Sequence, residues 1–336
     1  MKTGVFIIAE IGQAHDGSLG ILHSYIDALA TTGVNAIKFQ THIAQAESSQ
    51  YEPFRVKFSY EDDIRYDYWE RMGFTLEQWK GIKEHCDNVG LEFMSSPFSN
   101  MAVDWLEEIG ISKYKIGSGE VSNFLMLEKI AKTGKEIILS SGMSNFNELD
   151  DTIKFLNQFN NKLSVLQCTT KYPTNAEDIG LNVISELKSR YNIPVGLSDH
   201  SSTIYPSLSA VSLGAEILEF HAVFDKNIFG PDSKSSLTIS EITQLVEGVR
   251  FIEKSLNHKI DKTNNSDFKE LKNIFEKSLA INKNKKAGDI LFFDDLESKK
   301  PFECGISAKE YKNVVGRKLT KDLSKWDFIK DHDIEK

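Results

Sequence analysis

The segment LEFMSSPFSNMAVDWLEEIGISKYKIGS (91–118) predicts a strand, a helix and a second strand in succession. Its two ends, LEFMSSPF (91–98) and KYKIGS (113–118), are short runs that are apolar on both faces, which is typical of buried parallel strands. Between them, NMAVDWLEEIG (100–110) has the spacing of an amphipathic helix and ends at a glycine, a common residue just after a helix C-terminus. We therefore expect two parallel strands connected by a helix.

Six further runs of the same kind extend this alternation: VFIIAEIG (5–12), NAIKFQ (35–40), EIILSS (136–141), LSVLQCT (163–169), IPVGLSDH (193–200) and EILEFHAV (216–223). Eight strands alternating with helices predict a (β/α)8 TIM barrel, a fold of the α/β class. The alternative is an open doubly wound sheet, which normally has a glycine-rich phosphate-binding turn after its first strand. The sequence there, AEIGQAHDGS (9–18), has no such turn.

The alternation stops after the eighth run, and this change sets the expected domain boundaries. We predict a barrel domain over 1–258, a polar linker over 259–276 and a small β-rich domain over 277–336. A domain of that size is marginal alone, so we expect it to pack against the barrel or against a partner chain. One connection inside the barrel, 41–74, is long and rich in aromatic and charged residues, as functional or oligomeric loops often are.

The composition argues against several classes of protein. With 336 residues, 40% hydrophobic and 26% charged, the chain can bury a large core, which argues against disorder. A formal net charge of −9 makes nucleic acid a poor partner, because a protein that binds the phosphate backbone needs a basic surface. The three cysteines are far apart, and no apolar run is long enough to span a membrane. We therefore expect a cytoplasmic protein that binds neither nucleic acid nor membranes.

Polar or ionisable side chains stand at the C-terminal ends of all eight predicted strands. A TIM barrel builds its active site at these ends, so eight polar ends favour a binding site over incidental contact with solvent. After the eighth strand, Gly230–Pro231 predicts a turn that projects Asp232 over the barrel mouth as a site residue. The alternative is that Asp232 is an ordinary turn residue. In chain order the strand ends carry Glu10; Lys38 and Gln40; Ser95 and Ser96; Lys115, Ser118 and Glu120; Ser140 and Ser141; Thr169, Thr170 and Tyr172; Ser198, Asp199 and His200; and Glu219 and His221.

Two lysines lie inside otherwise buried strands, where a charge is costly unless an anion meets it. Lys38 and Lys115 therefore predict a cradle for a phosphate or a carboxylate. The hydroxyl groups that complete this cradle are those of Ser118, Ser140 and Ser198. Two alternatives stay open: an internal ion pair with Glu10 or Glu120, and a Schiff-base lysine of the kind that aldolases use.

Two histidines end neighbouring strands, where neutral imidazoles can share one divalent cation. His200 and His221 favour a metal site suited to Mn²⁺ or Mg²⁺, with positions left open for substrate. The carboxylates of Glu10 and Glu219, which are expected nearby, strengthen this interpretation. The alternative is a hydrogen-bonded core histidine at each position.

Nine short motifs follow one another in the order and spacing of a known family. They are AEIG (9–12), IKFQT (37–41), SSPFS (95–99), YKIGSGE (114–120), ILSSGM (138–143), CTTKYPT (168–174), GLSDHS (196–201), EFH (219–221) and GPDS (230–233). On these motifs the chain resembles the sialic acid synthases, the phosphoenolpyruvate-dependent nonulosonate synthases. Their C-terminal antifreeze-like (SAF, β-clip) domain is similar to the segments AGDIL (287–291), KKP (299–301), GIS (305–307) and VGRKL (315–319).

The resemblance implies a transferase that condenses phosphoenolpyruvate with an N-acylated mannosamine-type sugar to a nine-carbon 2-keto acid and phosphate. The substrate-binding residues implied at the phosphoenolpyruvate end are Lys38, Lys115, Ser118, Ser140, Thr170 and Ser198, with Ser96 beside them. The residues implied at the sugar end are Gln40, Tyr172 and Asp232. His200 and His221 would bind the metal, Mn²⁺ or Mg²⁺. Glu10 and Glu120 would be the acid/base or water-positioning carboxylates, and Lys115 a fixed catalytic charge.

The resemblance also implies a domain-swapped homodimer in which the antifreeze-like domain caps the barrel of the partner. An arginine of that domain contacts the sugar in the family, and Lys300 stands at the matching place. Lysine does not replace arginine where a planar donor with two N–H groups is needed. The identity of the acceptor sugar therefore stays open between two candidates. They are N-acetylmannosamine, giving N-acetylneuraminate, and 2,4-diacetamido-2,4,6-trideoxymannose, giving legionaminic acid. The other classes left open are a Schiff-base aldolase, a metal-dependent hydrolase and a ligand-binding protein without activity.

Overall fold

The protein is described by a computed structural model over residues 4–56 and 58–335, and it divides into two compact units. The first unit ends at His258 and the second begins at Lys259. None of the helices in the described residues offers an apolar stretch long enough to cross a membrane.

The first unit is a closed barrel of eight parallel strands, which confirms the predicted (β/α)8 TIM barrel. Each strand pairs with its successor and the eighth pairs with the first, so that Glu10 lies in register with both Lys38 and His221. A short ninth strand pairs with the eighth. The strands are β1 Phe6–Glu10, β2 Ala36–Thr41, β3 Glu92–Pro97, β4 Lys113–Ile116, β5 Glu136–Ser140, β6 Leu163–Cys168, β7 Val195–Asp199, β8 Ile217–Val223 and β9 Leu237–Thr238.

Local sequence accounts for where the helices of this unit begin and end. Before α5, for example, Ser99 Oγ accepts a hydrogen bond from the N–H of Ala102, and Gly110 ends the helix at a φ of 82°, which glycine adopts without steric cost. The helices are α1 Leu19–Ala30, α2 Ala44–Glu47, α3 Arg65–Met72, α4 Leu76–Asn88, α5 Asn100–Ile109, α6 Phe124–Ala131, α7 Phe146–Leu156, α8 Leu181–Tyr191, α9 Tyr205–Ser212 and α10 Ile239–Asn257.

The strands separate an outer apolar layer from the barrel interior. The interior is apolar toward the N-terminal ends of the strands and polar toward their C-terminal ends. The outer layer, packed against the helices, includes Ile7, Ile37, Phe93, Ile137, Val165 and Leu218. The lower interior is filled by Ile8, Ala36, Met94, Ile138, Leu166 and Ile217. Side chains of a strand alternate between its faces, so the residue two positions further along points inward again. Those next inward residues are Glu10, Lys38, Ser96, Ser140, Cys168 and Glu219.

The connection between β2 and α4, described over 42–56 and 58–75, forms a small lobe at the C-terminal ends of the strands. It carries α2 and α3 and has its own cluster of buried apolar residues, Ala44, Tyr68, Trp69 and Met72. Arg71 forms ion pairs of 2.7 Å with Asp62, inside the β2–α4 connection, and with Asp16, which lies between β1 and α1. The long aromatic and charged segment is therefore folded and not a loose loop.

The second unit has a small separate core. Its elements are α11 Lys269–Phe275, β10 Ser278–Ile281, β11 Leu296–Lys299 and α12 Tyr311–Val314, with β10 and β11 antiparallel. Its core consists of Leu279, Ile281, Leu291, Val314, Leu319, Leu323 and Ile329. The segment 259–276, expected to be a linker, contains α11, a helix whose residues are all partly or fully exposed. The identity of this unit as an antifreeze-like domain stays a prediction.

Candidate active site

A cavity of about 410 Å³ lies between the C-terminal ends of the strands and the β2–α4 connection. Seven of the predicted site residues line it: Gln40, Ser118, Glu120, Thr170, Tyr172, His221 and Asp232. Seven more are buried in the barrel around its floor: Glu10, Lys38, Ser96, Lys115, Ser140, Ser198 and His200. The structure therefore brings the candidates of the barrel together, whereas Lys300 belongs to the second unit.

Two buried lysines and two buried glutamates form an ionic layer inside the barrel. Lys38 Nζ is 2.5 Å from Glu10 Oε2 and 3.9 Å from Glu219 Oε1. Lys115 Nζ is 3.1 Å from the same oxygen of Glu219. Internal ion pairs, one of the alternatives left open, are therefore present for both lysines. The partner of Lys115 is Glu219 and not Glu10 or Glu120, since Glu120 lies beyond β4 in a helical turn that lines the cavity.

Contacts within the ionic layer favour the charged forms of Lys38 and Glu219. Burial lowers the pKa of Lys38, but the carboxylates of Glu10 and Glu219 raise it by more, so the net shift is upward. Burial raises the pKa of Glu219, but the ammonium groups of Lys115 and Lys38 lower it by more. A Schiff-base lysine needs a lowered pKa to be nucleophilic, so the aldolase alternative finds no support at Lys38.

Serine hydroxyl groups surround the two ammonium groups. Lys115 donates a hydrogen bond of 2.7 Å to Ser140 Oγ, and Lys38 donates one of 3.4 Å to Ser96 Oγ. Ser198 Oγ donates to Glu219 Oε1 at 3.1 Å. Cationic groups together with hydroxyl donors are the chemistry that binds phosphate and carboxylate groups. The layer therefore has the composition of an anion site.

Three polar atoms at the cavity floor are buried and have no hydrogen-bond partner among the described residues. They are Thr170 Oγ1, Glu219 Oε2 and His221 Nδ1. A buried polar atom without a partner costs about 1–3 kcal/mol, so such atoms often mark the place of a ligand, an ion or an ordered water. Their grouping at one end of the barrel indicates a binding site and not only a structural ionic core.

Gly142 keeps space open beside the hydroxyl groups. Its N–H donates a hydrogen bond of 3.0 Å to Ser118 Oγ. A Cβ atom at this position would lie 2.5 Å from Thr170 Oγ1, 2.7 Å from Ser118 Oγ and 2.9 Å from Cys168 Sγ, closer than atoms can approach. The sequence did not identify Gly142 or Cys168 as site residues. The available signal for Gly142 was its place immediately after a strand end, in ILSSGM.

The two candidate metal ligands, His200 and His221, lie beside each other near the cavity. The ring centroids of His200 and His221 are 5.2 Å apart. His200 Nδ1 lies 3.1 Å from the carbonyl oxygen of Thr169, so this nitrogen carries the proton and Nε2 keeps its lone pair. Burial lowers the pKa of His200 to about 3, with a further contribution from His221, and the ring is therefore neutral.

These two rings fit a divalent cation that keeps its other positions for water and substrate. His221 Nδ1, which has no hydrogen-bond partner among the described residues, lies 4.0 Å from Asp232 Oδ2. The part of the chain that the structure describes contains no group of three or more histidine, cysteine or acidic side chains arranged to hold a metal.

Tyr172, Asp232 and Arg55 form the outer wall of the cavity. The centroid of the Tyr172 ring is 4.2 Å from that of His200. The guanidinium carbon of Arg55 is 4.3 Å from the Tyr172 centroid, and its Nη2 is 3.5 Å from Asp232 Oδ1. The sequence did not predict Arg55, because the β2–α4 connection has no periodic pattern that indicates which side chains reach the cavity.

Of the two carboxylates predicted for acid/base chemistry, Glu10 and Glu120, it is Glu120 that lines the cavity. It lies in the helical turn Ser118–Glu120 and accepts a hydrogen bond of 2.7 Å from Asn123 Nδ2. Burial raises its pKa, and the carboxylate of Glu47 raises it further. A carboxyl group with a raised pKa at a cavity wall is suited to exchange a proton with a bound molecule.

Lys300 is the one predicted site residue outside the barrel. Its Nζ is 4.7 Å from the centroid of the Phe275 ring in the same unit, and the residue is exposed. Its expected contact with a sugar in the barrel of a partner stays a prediction.

The chain matches known proteins over nearly its whole length. The model of the NeuB family matches residues 25–261. The N,N'-diacetyllegionaminic acid synthase of Campylobacter jejuni is 35% identical over 331 residues, which are 97% of this chain and 98% of that protein. A pseudaminic acid synthase of the same species is 36% identical over 335 residues, or 98% of this chain and 96% of that one.

A solved structure agrees with these relatives. The N-acetylneuraminic acid (sialic acid) synthetase of Leptospira borgpetersenii, solved in complex with citrate, is 31% identical, with a TM-score of 0.71 over 80% of this chain and 90% of that one. Fold and site together define a TIM-barrel enzyme with an ionic layer beneath its cavity. The chain belongs to the NeuB family. The expected transferase that forms a carbon–carbon bond from phosphoenolpyruvate is confirmed at the level of this family of nonulosonate synthases.

Proposed function

We propose that this chain condenses phosphoenolpyruvate with an N-acylated mannosamine-type sugar, giving a nine-carbon 2-keto acid and phosphate. The observation that supports this proposal most strongly is the buried pair Lys38 and Lys115, surrounded by serine hydroxyl groups and bordered by polar atoms without partners among the described residues. The cavity above this pair, of about 410 Å³, lies in the size range of small-molecule sites.

In this proposal the ionic layer holds phosphoenolpyruvate. Lys38 and Lys115 would bind its phosphate and carboxylate oxygens as fixed charges. The hydroxyl groups that would complete the binding are those of Ser96, Ser118, Ser140, Thr170 and Ser198. Charges that are already in place stabilise the transition state without reorganisation, and no covalent bond to either lysine is required.

The proposed reaction forms a carbon–carbon bond at C3 and a carbon–oxygen bond from water to C2, and it breaks the carbon–oxygen bond to phosphate. The two protons of the water end on the new hydroxyl group of the sugar and on the released phosphate. C3 of phosphoenolpyruvate attacks the aldehyde carbon of the open-chain sugar, and the aldehyde oxygen gains a proton. Water adds to C2, and the tetrahedral centre expels phosphate with its bridging oxygen. Glu120, at the cavity wall, would take the proton that the water gives up. A divalent cation bound by His200 and His221 would supply polarisation of a carbonyl oxygen.

Glu10 has a different role in this proposal, because it is completely buried. One of its oxygens pairs with Lys38 at 2.5 Å, and the other accepts a hydrogen bond of 2.7 Å from Gln40 Nε2. A carboxylate held in this way positions its two partners. We therefore assign proton exchange to Glu120 and positioning to Glu10.

The acceptor we propose first is N-acetylmannosamine, giving N-acetylneuraminate. A second acceptor, 2,4-diacetamido-2,4,6-trideoxymannose, is favoured by one observation. The cavity is lined by Phe54, Phe58 and Met143 in addition to its polar groups. Such an apolar wall suits the methyl group and the second acetamido group of that sugar better than the hydroxyl groups they replace.

Release of phosphate from phosphoenolpyruvate in the presence of Mn²⁺ tests the proposal. Each sugar is supplied separately, with a reaction lacking sugar and a reaction containing chelator as controls. We expect release that depends on a sugar and is lost in chelator, and the preferred sugar then identifies the acceptor. Release without any sugar, or no release with either one, would contradict the proposed reaction.

We also propose a domain-swapped homodimer in which Lys300 contacts the acceptor bound by the partner chain. Light scattering is expected to give the mass of a dimer. Substitution Lys300→Ala should then raise the KM for the sugar and leave the KM for phosphoenolpyruvate within about twofold. A monomer in solution, or equal changes in both constants, would contradict this assembly.

A further inference from the structure

Among the described residues, the two arginines that line the cavity are each paired with a carboxylate. Arg55 Nη2 lies 3.5 Å from Asp232 Oδ1, and Arg65 Nε lies 3.1 Å from Glu52 Oε1. All four residues line the cavity. Their side chains are between 18% and 45% exposed, so a molecule that enters the cavity meets these groups. What it meets is an arginine charge that a neighbouring carboxylate already balances.

Glu52 is fixed by hydrogen bonds within the β2–α4 connection. Its Oε2 accepts from Ser48 Oγ and, at 3.1 Å, from Trp69 Nε1, while its Oε1 faces Arg65. Arg65 Nη1 donates to the carbonyl oxygen of Pro53 at 3.2 Å. The guanidinium carbon of Arg65 lies 5.1 Å from the centroid of the Trp69 ring. Arg65 is therefore held by a carboxylate that is itself held in place.

The chemistry of the proposed reaction determines which end of the acceptor meets this pair. Carbons 1–3 of the product come from phosphoenolpyruvate and carbons 4–9 from the sugar, so the aldehyde carbon lies next to the ionic layer. C6 of the sugar is five bonds further along the chain. It therefore extends away from the floor toward the β2–α4 connection, which supplies Glu52 and Arg65 to the opposite side of the cavity. A phosphate ester at C6 would lie at this side.

We propose that Glu52 is a specificity-determining residue that makes the site select an acceptor without a phosphate at C6. Its carboxylate would lie close to such a phosphate, and like charges at close range repel each other. It also holds the guanidinium group of Arg65, which would otherwise bind the phosphate. This inference rests on the proposed function in one respect, namely that the acceptor is a mannosamine-type sugar. The pairing of Glu52 with Arg65 does not depend on any reaction.

The remaining charges of the cavity wall do not offset this carboxylate. Among the described residues, four carboxylates and two guanidinium groups line the cavity, those of Glu47, Glu52, Glu120 and Asp232 and those of Arg55 and Arg65. None of the described lysines lines it. The contact proposed above for the partner's Lys300 is the same in every variant compared below, so it produces no difference between them.

Replacement of Glu52 by glutamine should release Arg65. The side-chain oxygen of the glutamine would stay with the two donors, Ser48 Oγ and Trp69 Nε1. Its NH₂ group would then face Arg65 Nε, donor against donor. Because the guanidinium group loses its anionic partner, it becomes available to a phosphate, which arginine binds through two parallel N–H groups.

Steady-state kinetics with N-acetylmannosamine and with its 6-phosphate test the proposal. In the wild type, kcat/KM for the free sugar should exceed that for the 6-phosphate at least about 100-fold, because a like charge costs several kcal/mol. In Glu52→Gln, kcat/KM for the 6-phosphate should rise at least about tenfold, as a new hydrogen-bonded charge pair provides. The free sugar should change by no more than about threefold. A looser structure would lower both constants, so it cannot produce this gain.

Two further variants show whether the gain comes from Arg65. Glu70→Gln removes an exposed carboxylate of the same helix, α3, that does not line the cavity, and it should leave the ratio of the two constants within about twofold. The double variant Glu52→Gln with Arg65→Met should lose the gain for the 6-phosphate. A gain that persists in the double variant, or an equal gain in Glu70→Gln, would overturn the proposed role of Glu52.

Calorimetric titration of the metal-free protein with N-acetylmannosamine 6-phosphate requires no turnover. Glu52→Gln should bind this ester at least about tenfold more tightly than the wild type or the double variant. Equal affinities in the wild type and Glu52→Gln, or a wild type that prefers the 6-phosphate in the kinetics, would overturn the inference. If the wild type releases no phosphate from phosphoenolpyruvate with any sugar, the proposed function fails, and the titration alone decides whether Glu52 excludes the ester.

Discussion

Both units of the chain bury carboxylates against lysines. The units differ in how exposed the lysines are and in whether every carboxylate oxygen has a partner. In the second unit, Asp295 is 2% exposed, and its oxygens pair with Lys283 at 2.5 Å and Lys285 at 2.7 Å. The N–H of Phe292 donates to the same carboxylate at 2.9 Å. The side chain of Lys283 is 54% exposed, so this lysine reaches the carboxylate from solvent.

In the barrel, both members of the corresponding pair are inside. The side chains of Lys115 and Glu219 are 3% and 5% exposed, and one Glu219 oxygen has no hydrogen-bond partner among the described residues. Full burial of both ions costs more desolvation than a lysine that reaches in from the surface, so stability alone does not explain such a pair. The barrel differs from the second unit because a buried carboxylate oxygen near a cavity has no hydrogen-bond partner among the described residues. Four predictions test this difference.

Replacement of one lysine in each unit by methionine should give the largest difference. Lys115→Met removes a cation from the proposed phosphoenolpyruvate site, and kcat/KM for phosphoenolpyruvate should fall about 10²- to 10³-fold. Lys283→Met should leave this constant within about twofold, because Lys285 and the N–H of Phe292 still bind Asp295. Phosphate release measures both variants, and similar losses would contradict the distinction.

A methyl group at Gly142 should be the next most damaging change. Because its Cβ would collide with Ser118, Cys168 and Thr170, Gly142→Ala should raise the KM for phosphoenolpyruvate at least about tenfold, since small displacements in a site are costly. The control is Gly81→Ala in α4, where nothing in the described residues lies within 4 Å of the added atom. It should leave the KM unchanged and stabilise the fold by about 0.5–1 kcal/mol in urea unfolding. An unchanged KM in Gly142→Ala would contradict the assignment.

The stacking of Arg55 on Tyr172 should contribute less. Arg55 contacts Tyr172 and Asp232, which are both implied at the sugar end. A cation over an aromatic ring is worth about 0.5–2 kcal/mol, and lysine keeps part of that contact, so Arg55→Lys should raise the KM of the sugar severalfold and by no more than about 30-fold. The matched control is Arg190→Lys, since Arg190 lies 4.9 Å from the Phe146 ring and outside the cavity. The sugar KM should not change in the control, and a wild-type KM in Arg55→Lys would remove Arg55 from the sugar end.

The smallest effect concerns Asp295 and acid stability. Burial raises the pKa of Asp295, but Lys283 and Lys285 lower it by more, from 3.8 to about 2. Because the folded-state pKa is below the unfolded value, this carboxylate stabilises the fold above about pH 4, and the contribution is lost as the pH falls toward about 2. Urea unfolding across this range should show a shallower acid dependence in Asp295→Asn than in the wild type. The exposed neighbour supplies the control, Asp294→Asn, and equal slopes in the two variants would contradict the prediction.

The sequence could predict the barrel and the composition of its polar layer. Runs that are apolar on both faces occur where strands are covered on both sides. Few folds are compatible with eight such strands in alternation with helices. The period of two residues along a strand then places Glu10 above Ile8 and Lys38 above Ala36, on the inward face. Local pattern therefore determined which side chains share the interior.

The partners within the site could not be predicted from the sequence. Glu219 on β8 pairs with Lys115 on β4, across the barrel, and this pairing depends on the relative positions of strands that are not neighbours. Arg55 lies in the β2–α4 connection, whose sequence has no period from which its fold could be inferred. Helix α11 in the expected linker was missed because its residues are all partly or fully exposed, and it has no buried apolar stripe.

The most direct test of the ionic layer as the phosphoenolpyruvate site is calorimetric titration of the metal-free protein with phosphoenolpyruvate alone. Because Lys38, Lys115 and the serine hydroxyl groups are not metal ligands in this proposal, we predict saturable binding at one site per chain in the wild type and in Lys283→Met. In Lys115→Met we predict no detectable binding. Absence of binding in the wild type, or binding of equal affinity in Lys115→Met, would contradict the assignment of the layer to phosphoenolpyruvate.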